Sequence, residues 1–239
     1  MAVVFDVAKQ SDDLVLDLAT DGVANDACVL AVHVSNSGGD DNLDEPAGWT
    51  VILKRNTSGT TNITISYRIF SGAAPDGETW TVDAGSVESA WVSYTGVGSV
   101  ESGNAEGTNS AVNAPSKTAS RSMEAADMWV NIWGARDPDA TKPTIATPSG
   151  YTQRATNTWN QAMAIDEKAG AASDTENPGV STTGATTDDW GAATVALLAA
   201  AAAGATFTGH WGLRVASWVF ASSSGLWLPD HVSDLVDML

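Results

Sequence analysis

One cysteine, three histidines and 11 basic residues are all that the 239 positions supply of these types. Each shortage excludes something. A lone Cys28 permits no disulfide within the chain and no cysteine-based metal site. It stands in the apolar run "ACVLAVHV" (27–34) and reads as a small core residue. His33, His210 and His231 do not cluster in sequence, so no zinc set is expected. Against the 11 basic residues stand 29 acidic ones, a formal net charge of −18. Such a surface repels phosphate backbones, which argues against nucleic acid as a partner. It reads most simply as a solubility device.

Catalytic signatures are missing too. There is no G-x-S-x-G, no H-E-x-x-H, no P-loop and no G-x-G-x-x-G opening a helix. Paired carboxylates such as Asp188 and Asp189 have the chemistry of a glycosidase pair, but 29 acidic residues produce such neighbours by chance. No enzymatic activity is expected. The start, "MAVVFDVAKQSDD", lacks a basic n-region and a long apolar stretch, so no signal peptide is expected. The apolar stretch 207–228 contains His210, Arg214 and several Ser and Gly, which argues against a membrane span.

What the chain does have is apolar surface and repetition. The apolar fraction is 43% and the charged fraction 17%, enough to bury a real core. Thr, Ser, Val and Gly are abundant and no long helical pattern precedes residue 198, which points to β structure. The segment "ACVLAVHVSNSGGDDNLDEPAGWTVILKRN" (27–56) is echoed by "DMWVNIWGARDPDATKPTIATPSGYTQRATN" (127–157). Pro46, Gly48, Trp49 and Thr50 answer Pro148, Gly150, Tyr151 and Thr152, each pair 102 residues apart. The echo continues from 63–82 to 161–182 and from 88–97 to 189–198. In "NITISYRIF", Ile63, Ile65, Tyr67 and Ile69 alternate with Asn62, Thr64, Ser66 and Arg68, the period of a strand with one buried face.

Each half therefore reads as four or five strands in the same order. Together they predict one all-β domain, a β-sandwich over 1–203 with half-repeats 1–100 and 101–203. Pro46 starts a strand, Gly48 lets the chain turn, and Trp49 is expected to pack in the core. Trp91 and Trp129 are also expected inside, and His33 half-buried in a strand. Among the ten tryptophans, Trp159 in "ATNTWNQA" is the surface candidate.

The order of apolar strand, acidic loop, "PAGWT", "ITISYRIFSGA" and "ESAWVSYTGV", repeated as "PSGYT" and "DWGAATVALL", resembles a β-sandwich module of bacteriophage virion proteins. The resemblance covers roughly residues 1–200. It implies a jelly-roll-like sandwich on the outside of a phage particle, with no catalytic residues. A capsid decoration (cement) protein is the expectation; a tail-fibre or spike subunit binding a host glycan is the alternative. Other virion proteins and further copies of the chain are the expected partners.

Two segments carry candidate sites. In the acidic loop, Asp40, Asn42 and Asp44 have ligand spacing for calcium, without the glycine and distant glutamate of an EF-hand. The tail 204–239 gathers Trp211, Leu213, Val215, Trp218, Phe220, Leu226 and Trp227 on an otherwise acidic chain. After Pro229, Asp230 can cap a short helix that aligns Val232, Leu235, Val236 and Leu239. This tail is expected to be an assembly arm.

Overall fold

The structure is a computed structural model. It describes residues 1–11, 15–16, 18, 21, 23–24, 26–35, 44–57, 61–72, 78–79, 87–107, 115–136, 144–157, 161–171, 173–179, 182–183 and 189–201. The chain divides into two units, Met1–Ala200 and Ala201–Leu239. Apart from Ala201 the second unit, with the expected arm and helix, lies outside the described residues.

Ten long strands form the first unit, and no helix occurs among its described residues. In the first half they are β1 (Val4–Ser11), β2 (Cys28–Ser35), β3 (Thr50–Thr57), β4 (Thr61–Ile69) and β5 (Val87–Thr95). In the second half they are β6 (Val97–Gly107), β7 (Met128–Arg136), β8 (Thr152–Asn157), β9 (Ala162–Ala169) and β10 (Asp189–Ala199). The first five make one antiparallel sheet in the order β1-β5-β2-β4-β3. The second five make another, β6-β10-β7-β9-β8, read from its β6 edge. Both orders are first-fifth-second-fourth-third. Successive strands stay in one sheet, and the long strands pass from the first sheet to the second at Gly96.

The sheets face one another across a shared aliphatic core. Leu30, Val32, Val34, Ile63, Ile65 and Val92 of the first meet Val130, Ile132, Met163, Ile165 and Val195 of the second. Burying each such side chain favours folding by about 1.5–3 kcal/mol. Strand β2 packs on β7, β1 on β8, β3 on β6, β5 on β9 and β4 on β10. The fit is tight where large meets small: a methyl added to Gly191 would lie 2.4 Å from Leu53 Cδ2, and one added to Gly134 would lie 3.0 Å from Ile63 Cγ2.

Each sheet is covered on its outer side as well, so β2 and β5 are buried along nearly their whole length. That is why "CVLAVHVS" reads as a continuous run rather than an alternation. On the first sheet Leu18 and Val23 pack with Val29, Ala31, Phe70 and Trp91. On the second, Ala119 and Met123 pack with Trp129, Ala196 and Leu198, and Ile145 packs with Trp133, Ala164 and Trp190. A short strand pair flanks each cover: Val15–Leu16 with Glu78–Thr79, and Lys117–Thr118 with Thr175–Glu176.

The repeated words are turns. Trp49 N–H donates to the Pro46 carbonyl at 3.3 Å, and Tyr151 N–H to that of Pro148 at 3.1 Å. Gly48 has φ +93° and Gly150 φ +83°, the third-position geometry of a type II turn. The aromatic that follows does not enter the inter-sheet core. Trp49 is half-buried on the outer face, edge-on to Phe70 at 6.5 Å, and Tyr151 is half-buried against the outer cluster of its own sheet. The expectation of a core Trp49 is corrected. A type II turn delivers its fourth residue to the rim of the sheet, where the outer cover begins. Trp91 and Trp129 are fully buried, on outer faces rather than between the sheets.

Candidate functional site

Of the three residues expected to ligate calcium, Asp44 is described, and Asp40 and Asn42 lie outside the described residues. Asp44 is exposed and its Oδ1 stands 3.6 Å from Lys54 Nζ. Among the described residues no group of three or more His, Cys, Asp or Glu is placed to hold a metal. The residues assigned to assembly (Trp211, Leu213, Val215, Trp218, Phe220, Leu226, Trp227, Leu235 and Leu239) lie outside the described residues, as does Trp159. No helix among the described residues is long and apolar enough to cross a membrane.

Buried polar groups concentrate elsewhere, on sheet edges and outer faces. Two ion pairs flank the core. Arg55 on β3 donates through Nη2 to Asp189 Oδ1 on β10 at 3.1 Å, joining the two sheets. Asp189, a candidate acid by sequence, is thus engaged by a guanidinium. Arg154 on β8 pairs with Glu167 on β9, and its guanidinium carbon lies 4.2 Å from the centre of the Phe5 ring on β1. The Glu167 hydrogen bond raises the Arg154 pKa further.

Asp127 is a structural hub that the sequence reading passed over. Its carboxylate accepts two bonds from Arg121, each 2.8 Å, and the Glu124 and Ala199 amides, each 2.7 Å. Burial alone would raise its pKa, but these four donors hold it below the ordinary aspartate value. The motif "RSMEAAD", an arginine six residues before an aspartate that opens an apolar strand, was the available signal.

On the outer face of the first sheet, His33 Nδ1 lies 2.7 Å from Ser89 Oγ. The expected half-buried histidine is wholly buried, and burial lowers its pKa to about 3, so it is neutral at ordinary pH. The same burial raises the Cys28 thiol to about 12, leaving it unreactive as a nucleophile.

The outer face of the second sheet carries a row of polar residues in register: Gln153 on β8, Asp166 on β9, Asn131 on β7 and Thr194 on β10. Alternation places them there, because Ile165 and Ile132 next to them point inward. Asp166 accepts from Trp133 Nε1 at 3.1 Å and from Thr147 Oγ1 at 3.2 Å. Burial outweighs these bonds and raises its pKa to about 6. The neighbouring Asn131 is wholly buried with neither amide atom hydrogen-bonded. The Tyr151 hydroxyl lies beside Asn131 and Glu176 without completing a bond to either, and desolvation pushes its pKa well up. Sequence reasoning missed this cluster. The signal was Asp166 in "QAMAIDEKAG", an acid within a strand rich in small and apolar residues.

No family model, curated protein or solved structure matches the chain.

Proposed function

We propose that the chain is a non-enzymatic structural protein of a bacteriophage particle, displayed on its surface as a capsid decoration protein. The observation that carries this reading is the sandwich itself. Two sheets share one strand order, their turns share one word, and the ion pairs Arg55–Asp189 and Arg154–Glu167 at the margins of the core tie strands together. Such a unit is a rigid platform. In this reading the two halves descend from one duplicated five-strand unit. The jelly-roll likeness narrows to the two-sheet layering, since each half keeps to its own sheet. The sandwich unit ends at Ala200, and in this reading the 204–239 segment is an arm with a short helix that docks on a neighbouring subunit.

Quantitative mass spectrometry of purified particles tests it. A copy number comparable to the major capsid protein, with loss of particle binding on truncation after Gly204, is expected. A handful of copies per particle, together with glycan-array binding by the sandwich, overturns it in favour of a tail-fibre subunit. A fragment that assembles like the full chain removes the docking role of the arm.

A further inference from the structure

The polar row on the second sheet is built in a way that the first sheet does not need. Asp166 and Asn131 are directly opposite in the β7–β9 ladder and share the outer face. Side chains so placed have Cβ atoms about 5 Å apart, within reach of one another. Both are wholly buried. In the ionised state Asp166 accepts bonds but has nothing to give, while the Asn131 amide oxygen has no donor. A buried acceptor without a donor costs free energy. One added proton supplies the missing donor.

We propose that Asp166 and Asn131 form an acid-responsive latch. Proton uptake by the Asp166 carboxyl lets it donate to the Asn131 amide oxygen and weakens the bond it accepts from Thr147, so the segment 144–151 is held less firmly on the second sheet. That segment is already anchored here, through Thr147 on Asp166, Ile145 in the outer cluster and Tyr151 beside Asn131.

The surroundings allow a proton rather than a cation to satisfy the carboxylate. Strand β7 presents Asn131 and Trp133, β8 presents Gln153, and β10 presents Thr194, none of them charged. The segment 144–151 presents Thr147 and the Tyr151 phenol, whose pKa the Asp166 charge pushes further up. On β9 itself the next residue of this face is Lys168, paired with Glu176 at 3.0 Å. Its charge is committed to that carboxylate.

The sign follows from linkage. A carboxyl whose folded pKa is raised from 3.8 to about 6 stabilises the fold fully below the unfolded value. That stability is lost as pH rises through about 6. His33 works the other way. Its pKa falls from 6.5 to about 3, so it favours folding above the unfolded value and loses that contribution as pH drops. The latch must therefore be read by difference.

The experiment uses the full chain and its Asp166→Asn variant, an isostere that cannot titrate. Carboxyl-carbon NMR of the full chain is expected to show one resonance, absent from the variant, with a midpoint near pH 6. Amide hydrogen exchange at residues 144–151 is expected to quicken severalfold from pH 7.5 to pH 5, after correction for intrinsic rates, and to lose that dependence in the variant. An Asp166 midpoint near 4, or pH-dependent protection that survives in the variant, overturns the proposal. If the variant does not fold, the midpoint of the native resonance decides alone, assigned by residue-specific labelling.

Discussion

Ala31 and Trp91 stand opposite one another on the outer face of the first sheet; at the matching place on the second stand Asn131 and Thr194. One row along, His33 and Ser89 are matched by Trp133 and Ala192. On the other side, Val29 and Ser93 are matched by Trp129 and Ala196. The middle of the inner faces shows no such exchange, whereas at one end Val34 and Glu88 are matched by Gly134 and Gly191. Val32 and Ile65 are matched by Ile132 and Ile165, and Leu30 and Val92 by Val130 and Val195. The difference has a physical cause. Inner faces pack against each other, so a change of volume on one must be absorbed by the other, and interiors absorb little. Each outer face packs against its own cover, Leu18 and Val23 on one side, Ala119, Met123 and Ile145 on the other. Cover and face can change together without disturbing the partner sheet.

The sharpest test of this comparison removes the large residue from each outer face. Trp91→Ala and Trp133→Ala should each lower stability by about 3–5 kcal/mol, measured by urea unfolding. The milder Trp→Phe pair should separate the sheets. Trp91 Nε1 has no hydrogen-bond partner, so Trp91→Phe loses only volume. Trp133 Nε1 donates to Asp166, so Trp133→Phe should cost roughly 1 kcal/mol more at pH 7.5. Equal losses would show that the second outer face is held by packing alone.

Next in size is Asp127. Its counterpart is Ala27: the Phe70 amide bonds the Ala27 carbonyl at 2.9 Å as the Gly170 amide bonds that of Asp127 at 2.8 Å. The first half has an aspartate one residue earlier, Asp26, which accepts the single Gly72 amide at 2.5 Å. In the second, Asp127→Ala would strand the Glu124 and Ala199 amides and cost about 3 kcal/mol. A loss below about 1 kcal/mol in thermal unfolding would mean that the second half does not depend on the Asp127 carboxylate.

The smallest effect is expected where the halves agree. Gly48→Ala and Gly150→Ala each force a side chain to positive φ and should each cost about 1 kcal/mol. Calorimetry that finds one variant neutral and the other strongly destabilised would break the equivalence of the two turns.

Much of the architecture was legible. Period-2 alternation in "NITISYRIF" gave β4 its two faces, and the Pro-small-Gly-aromatic word located both turns. Burial of the cysteine followed from its apolar neighbours. The polar cluster was not legible, because its members come from Asn131, Thr147, Asp166 and Tyr151 on separate elements, and a single acid in a strand looks the same whether it faces water or a cover. The same blindness misplaced Trp49: a sequence shows that an aromatic follows a turn, not which face of the sheet receives it.

Local chemistry in the sequence determined strand periodicity and turn positions, because these depend on residues close along the chain. Tertiary structure alone decided three things: that each half keeps its own sheet, that Gly134 and Gly191 receive bulk from the opposite sheet, and that Asp166 lies buried beside an unsatisfied amide. These rest on contacts between residues distant in the chain, where burial, rather than residue type, sets what a carboxyl or an indole does.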